Sequence, residues 1–69
     1  MLDVTLLAAN IRAAREQLCF TQTEVARRLY VTPQTVSKWE TAIAVPDLAN
    51  LCRLAKVLDT TPNALLGIE

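Results

Sequence analysis

Hydrophobic residues recur along this chain at the three- and four-residue spacings that are typical of amphipathic helices. The first such stripe consists of Leu7, Ile11, Ala14 and Leu18, with charged residues between its members. Similar stripes follow in four shorter segments: Val25, Ala26 and Leu29; Val36 and Trp39; Leu48, Leu51, Leu54, Ala55, Val57 and Leu58; and Leu65 with Leu66. We therefore predict an all-α fold, a compact bundle of five short helices over about residues 4–18, 22–29, 33–41, 48–58 and 62–66.

Capping residues stand where these helices should begin. Thr21 lies three residues before Glu24, the capping-box spacing in which each side chain bonds the other residue's backbone N–H group. The remaining starts carry a capping side chain, followed in two cases by proline: Asp3 or Thr5, Thr32–Pro33, Asp47 and Thr61–Pro62. Gly67 is suited to end the last helix in the left-handed conformation. Local signals thus predict both the number of helices and their approximate bounds.

The second and third predicted helices are joined by the short connection Leu29–Thr32. Such a connection allows only a sharp turn, so the two helices should cross steeply, as in a helix-turn-helix. In the third helix Val36 and Trp39 have the spacing of a buried face. The outer face then carries Gln34, Thr35, Ser37 and Lys38.

The stretch Thr21–Glu40 resembles the helix-turn-helix of the lambda-repressor/Cro-like (XRE) family of DNA-binding regulators. The matching residues are Thr21 and Gln22 at the start of the first motif helix, Ala26 at the helix crossing, Val36 and Trp39 inside the second motif helix, Glu40 at its end, and Pro46 in the exit loop. The resemblance extends from about Leu7 to Leu66. It implies a lambda-repressor-like bundle in which helices 2 and 3 form the motif.

The resemblance also implies that the third helix reads base pairs in the major groove of double-stranded DNA. Glutamine can bond to N6 and N7 of adenine, and lysine can donate to O6 and N7 of guanine. We expect four residues to contact bases: Gln34, Lys38, Ser37 and Pro33. We expect five to contact the DNA backbone: Thr21, Gln22, Thr32, Thr35 and Thr41. Each of these residues could instead be an ordinary surface residue. For Arg27 and Arg28 two interpretations remain open, exposure to solvent or contact with DNA phosphates.

Arg15 and Glu40 are implied by the resemblance to form a structural ion pair between the first and third helices. The alternative for Arg15 is a solvated charge on the helix surface, since most charged side chains are exposed. The pair would position the helices rather than contact DNA, and loss of one partner would be costly.

Three positions depart from the family, which favours glycine where this chain has Cys19, Tyr30 and Ala42. A residue other than glycine at positive φ carries a strain of order 1 kcal/mol. Tyr30 is therefore either strained or part of a re-routed turn. The loop around Ala42 also lacks the basic residues common in the family, and its Ile43 and Val45 could join a subunit contact.

The function implied by the resemblance is transcriptional regulation, with the protein acting as a repressor or autoregulator that binds operator DNA as a homodimer. Among Leu65, Leu66 and Ile68 we expect at least one residue to stay exposed and to join this dimer. The alternative is a protein-interaction module of the same fold, such as an antitoxin that binds a toxin. The balanced charge and the apolar loop after the third helix favour this alternative.

Charge limits how this chain could bind nucleic acid. Seven basic and seven acidic residues give a formal net charge of zero, and the pI is near 6.2. Because phosphate contacts dominate DNA affinity, we expect modest non-specific binding and specific binding by two copies. The length suits one domain, 1–69. With no apolar run long enough to span a membrane and no signal-peptide pattern, we expect a cytoplasmic protein. The resemblance implies a bacterial or phage origin and association with the nucleoid when the protein is bound to DNA.

The composition argues against catalysis and metal binding. The chain has no histidine, and we interpret Cys19 and Cys52 as reduced, partly buried thiols rather than zinc ligands. The carboxylates are dispersed among helix caps and surfaces, with no glycine-rich phosphate loop and no nucleophile–base pair. We therefore expect no enzymatic activity, no metal and no cofactor.

Overall fold

Five α-helices follow one another in the computed structural model, which describes residues 2–68. They are α1 (Val4–Gln17), α2 (Gln22–Leu29), α3 (Pro33–Glu40), α4 (Leu48–Val57) and α5 (Pro62–Leu66). The predicted all-α fold of five helices is confirmed, with α1, α3 and α4 each ending one residue earlier than predicted. The predicted domain span 1–69 includes Met1 and Glu69, which lie outside the described residues.

Each helix begins at a side-chain cap that accepts a hydrogen bond from the backbone N–H group three residues later. For α1 this residue is Asp3 rather than Thr5, with 2.9 Å between Leu6 N and Asp3 Oδ1. Both bonds of the predicted capping box are present in α2. The other three helices are capped by Thr32, Asp47 and Thr61. These bonds satisfy donors that the first turn of a helix leaves without an intrahelical partner.

All five helices contribute to one hydrophobic core. Helix α3 packs against α1 and α2, while α5 packs against α1 and α4, and α4 also packs against α2. The buried apolar side chains are Leu7, Ala8, Ile11, Val25, Ala26, Leu29, Val36, Trp39, Leu51, Leu54, Ala55, Leu58 and Leu65. The inward orientation predicted for Val36 and Trp39 is confirmed, and it sets which face of α3 points outward.

Several burial predictions were wrong. Leu48, assigned to the core stripe of α4, is 76% exposed, and Leu18, assigned to the stripe of α1, is also exposed. Periodicity identifies the face of a helix but not how far along its axis neighbouring helices reach, so residues at helix ends are misassigned. Cys19 and Cys52 are free and exposed rather than partly buried, since one lies in the turn after α1 and the other on the outer side of α4.

Left-handed backbone follows every helix. Cys19, Tyr30, Ala42 and Asp59 have φ between 56° and 62°, and Gly67 has φ of 74°. At Tyr30 the turn is therefore not re-routed: the residue adopts φ 57° and ψ 38°, and the next amide, that of Val31, donates to Ala26 O at 3.0 Å. This pattern ends helices by satisfying their last carbonyls, and it favours glycine. Only the last of the five positions holds glycine.

The longest helix has 14 residues, whereas about 20 are needed to cross a bilayer. Accordingly, none of the helices within residues 2–68 is long and apolar enough to span a membrane.

Candidate nucleic-acid interface

The outward face of α3 carries the residues predicted to read bases. Gln34 and Lys38 are exposed and Ser37 is half-buried, while Val36 on the opposite side has no exposed surface. Gln34 and Lys38 are four residues apart, so they lie one above the other on the same side of the helix. Pro33, the first residue of α3, is half-buried. The structure thus brings all four predicted base-contact residues together on one helix.

The chemistry of this face combines neutral donors and acceptors with one cation. The Gln34 amide can both donate and accept, and Lys38 offers three donors. Lys38 takes part in neither of the ion pairs found among residues 2–68, which are Arg12–Glu16 and Arg15–Glu40. Its ammonium group is therefore available to an external acceptor.

At the start of α3, the two threonines predicted to contact the DNA backbone already bond each other. Thr32 Oγ1 accepts from the Thr35 backbone N–H group at 3.2 Å, and the two hydroxyl oxygens are 2.9 Å apart. Because one hydroxyl must donate to the other, the pair retains one O–H donor for a phosphate. Thr41, at the other end of the helix, is exposed and donates its hydroxyl to Ser37 O at 2.9 Å.

Helix α2 begins beside this face, and its first residues were predicted to contact phosphate. Thr21 is occupied by the capping box with Glu24, in which the Glu24 carboxylate accepts from the Thr21 amide at 3.0 Å. These bonds lower the pKa of Glu24, first through the backbone N–H group of Thr21 and then through its hydroxyl. Gln22 is half-buried, and its amide donates to Glu40 Oε1 at 3.2 Å. The first turn of α2 is thereby tied to the last residue of α3.

Arg15 and Glu40, the pair implied by the resemblance, are bonded in a bidentate arrangement. Arg15 Nε donates to Glu40 Oε2 at 2.7 Å and Arg15 Nη2 donates to Oε1 at 2.9 Å. The Glu40 side chain is only 2% exposed and that of Arg15 13%. The hydrogen bond to Glu40 raises the pKa of Arg15, so the guanidinium stays charged. A third bond, from Arg15 Nη1 to Phe20 O at 2.8 Å, extends the link to the turn before α2.

Two side chains have structural roles that the sequence patterns did not indicate. Asn10 donates from its amide to Leu65 O at 3.0 Å and connects α1 to the end of α5. Phe20 supports Arg28, whose guanidinium carbon lies 4.5 Å from the centre of the ring. Both contacts join residues from different elements, so no local spacing signals them. Arg27 is exposed at the end of α2.

Within residues 2–68, no three or more side chains of His, Cys, Asp or Glu are grouped so that they could hold a metal ion. The polar groups gathered around α2 and α3 are instead hydrogen-bond donors and acceptors suited to bases and phosphates.

Comparisons with known proteins agree on the motif. A family model described as Helix-turn-helix matches residues 11–65. The chain is 31% identical over 65 residues to repressor protein C2 of Salmonella phage P22; the match covers 94% of this chain and 30% of the relative. The chain thus spans about 30% of the length of that curated relative.

Solved structures give the same fold. The P22 c2 repressor in complex with synthetic operator 9T in the presence of Tl+ matches with a TM-score of 0.87 at 31% identity, covering 93% of this chain and 97% of that chain. Hydroxypropylphosphonic acid epoxidase from S. wedmorenis matches with a TM-score of 0.85 at 34% identity, covering 91% of this chain and 34% of that chain.

Proposed function

The chain belongs to the helix-turn-helix family, and from this premise we propose that it represses transcription by binding operator DNA as a homodimer. The observation that carries the proposal is the outer face of α3, where Gln34, Ser37 and Lys38 lie together above buried Val36 and Trp39. The P22 c2 repressor, whose fold this chain shares, is named as a repressor and was solved with operator DNA.

Base reading is assigned to Gln34 and Lys38, with Ser37 and Pro33 beside them. In this architecture the first residues of the second motif helix enter the major groove. A bidentate contact to the correct base contributes about 1–3 kcal/mol of discrimination. The exposed amide and ammonium groups of α3 are the side chains of the motif best suited to such contacts.

Contacts to the DNA backbone are assigned to five residues around the reading helix: Thr21, Gln22, Thr32, Thr35 and Thr41. The Gln22 amide has a second N–H group besides the one given to Glu40, and it can bind a phosphate while the first bond persists. Since Glu40 belongs to α3, a phosphate held by Gln22 would also fix the position of the reading helix. Arg15 and Glu40 position these helices and do not contact DNA.

Dimer formation is supported by apolar residues left in solvent. Ile43 is 73% exposed, and Val45 and Leu48, which follow it in the sequence, are also exposed; Leu2, Leu6 and Ile68 are exposed towards the two ends of the chain. The described residues measure 29 × 23 × 20 Å. Two copies side by side can therefore set their reading helices about 34 Å apart, one turn of DNA. Because the net charge of one copy is zero, its non-specific attraction to DNA is weak. Contacts made by two copies would compensate for this weak attraction.

A second candidate is a protein-interaction module of the same fold, such as an antitoxin bound to a toxin. The exposed Ile43 and Val45 favour it, because the loop after α3 offers a partner apolar surface rather than basic groups. Either role is consistent with a cytoplasmic protein.

Catalysis is not proposed for this domain. The epoxidase similarity raises the question, but the match covers only 34% of that enzyme chain. Residues 2–68 offer no grouped metal-binding side chains, and most of their carboxylates serve as caps or ion-pair partners. We assign the shared region a binding role.

Fluorescence anisotropy with labelled duplexes tests the DNA assignment. Duplexes tiling the DNA upstream of the chain's own gene are compared with scrambled duplexes at about 50 and 200 mM salt. Gln34→Ala and Lys38→Ala should each weaken specific binding at least about fivefold, from the lower limit of about 1 kcal/mol per lost base contact. Matched controls are Gln17→Ala and Lys56→Ala, which remove the same exposed side-chain types from α1 and α4.

Thermal midpoints and sedimentation equilibrium accompany the titrations, to separate lost contacts from lost folding or association. Equal affinity of the parent for promoter and scrambled duplexes would favour the interaction module. Parent-like binding by both α3 variants would show that another face reads DNA.

A further inference from the structure

A groove lies between the C-terminal halves of α2 and α4, apart from the reading face. Its lining consists of Arg28, Leu29, Tyr30, Arg53, Lys56 and Val57. Leu29 and Val57 supply an apolar base, and the cations stand around it. The groove is formed by α2 and α4, whereas α3 packs against α1 and α2. A molecule bound here would therefore leave the outer face of α3 open.

The groove concentrates positive charge in a chain whose net charge is zero. Arg28, Arg53 and Lys56 are exposed, and none belongs to the two ion pairs found within residues 2–68. Two helix C-termini lie nearby, each equivalent to roughly −0.5 charge. Glu24 lies one turn before Arg28, and its carboxylate stays charged because the hydrogen bond from the Thr21 amide lowers its pKa. Set against three cations, the two helix ends and Glu24 leave a local surplus of about one positive charge.

Two side chains of the groove lie outside the hydrophobic core. Arg28 rests on the ring of Phe20, 4.5 Å from its centre, which limits the directions its charge can take. Tyr30 is 93% exposed although its backbone adopts the left-handed conformation. A strained residue with almost no burial contributes little to this domain. Its ring is available to a molecule outside the domain.

We infer that this groove binds an acidic segment of a protein partner. Carboxylates of the segment pair with Arg28, Arg53 and Lys56. An apolar side chain of the segment packs on Leu29 and Val57. The apolar base and the exposed tyrosine ring favour a peptide over a DNA backbone, because phosphates are held by polar donors and offer nothing to an apolar surface. This inference does not rest on the proposed repressor function.

The test uses a fluorescein-labelled peptide in which glutamates flank two leucines, with a glutamine-for-glutamate peptide as the neutral probe. The parent protein should bind the acidic peptide saturably at low salt, and the neutral peptide much more weakly. Arg53→Glu/Lys56→Glu should weaken binding about tenfold, because two surface charge pairs are replaced by repulsion. Arg12→Glu/Arg27→Glu changes the net charge equally on other exposed surfaces and should stay within twofold of the parent.

Tyr30→Asn tests the apolar contact between the tyrosine ring and the peptide. Asparagine tolerates the left-handed conformation, so this variant should weaken peptide binding without lowering the thermal midpoint. Circular dichroism confirms that each variant is folded. No binding by the parent, equal binding of both peptides, or equal losses in the two double variants would each overturn the inference. It would also fail if duplex DNA displaced the peptide and Arg53→Glu/Lys56→Glu lost DNA affinity to the same extent, since the groove would then belong to the DNA surface.

Discussion

Ala42 and Ala13 allow one chemical change, the removal of a methyl group, to be compared in two backbone conformations. Ala42 follows α3 with φ of 62°, whereas Ala13 is exposed within α1. We predict that Ala42→Gly stabilises the protein and that Ala13→Gly destabilises it. The signs differ because the left-handed conformation penalises a side chain, while a helix interior penalises glycine.

The magnitudes follow from these conformations. Relief of the left-handed strain at Ala42 is worth about 1–2 kcal/mol. Against it stand the greater freedom of glycine in the unfolded chain, about 0.5–1 kcal/mol, and the lost burial of a half-buried methyl, less than about 0.8 kcal/mol. The net expectation is about 0.5 kcal/mol of stabilisation. Ala13→Gly should cost about 1 kcal/mol, as for glycine inside an exposed helix.

Thermal and urea unfolding followed by circular dichroism measure the difference. A gap of about 1.5 kcal/mol corresponds to roughly 6–12 °C between the two midpoints for a domain of this size. The slope of the unfolding free energy against urea should be the same in both variants, which would show that neither change alters the surface exposed on unfolding. If Ala42→Gly destabilised the protein as much as Ala13→Gly, the left-handed turn would not be a source of strain. The claim that Tyr30 is strained by the same conformation would then also be refuted.

Two further predictions concern the groups that join α1, α2 and α3. Arg15→Met should cost about 3–5 kcal/mol in urea unfolding, because buried Glu40 loses its cation, and Arg15→Met/Glu40→Leu should cost less than Arg15→Met alone. If the double variant lost as much stability as Arg15→Met and Glu40→Leu lose separately when added together, the two side chains would not be coupled. The lowered pKa of Glu24 stabilises the fold above the ordinary value of 4.5, and this contribution is lost as the pH falls through the lowered pKa. Glu24→Gln should therefore lose less thermal stability than the parent between pH 6 and pH 3, and an equal loss would assign the acid sensitivity to other carboxylates.

Much of the fold could be predicted because its signals are local. A capping threonine or aspartate bonds a backbone group three residues away. A segment of only four residues therefore indicates where each of α2, α3, α4 and α5 begins. The exposed face of α3 followed from the same reasoning, since burial of Val36 and Trp39 leaves the other side of a helix in solvent.

Other features depend on residues that are distant in the chain. Arg15 and Glu40 are 25 positions apart, and only the resemblance to a family, not the spacing, implied that they meet. The bond between Gln22 and Glu40 was not anticipated at all, although it changes what the Gln22 amide can offer to a phosphate. The exposure of Leu48 could not be read from its stripe, because the stripe continues past the point where neighbouring helices end.

The sequence by itself determined the five helices, their caps and the family, because each of these is decided by interactions within about one helical turn or by an ordered motif. The tertiary structure alone decided three things: the left-handed backbone at Asp59, the bonds that join Gln22 to Glu40 and Asn10 to α5, and the cationic groove between α2 and α4. The physical reason is that core packing brings distant residues together and fixes where each helix must turn. That packing energy outweighs the backbone preference of any single residue in the turns.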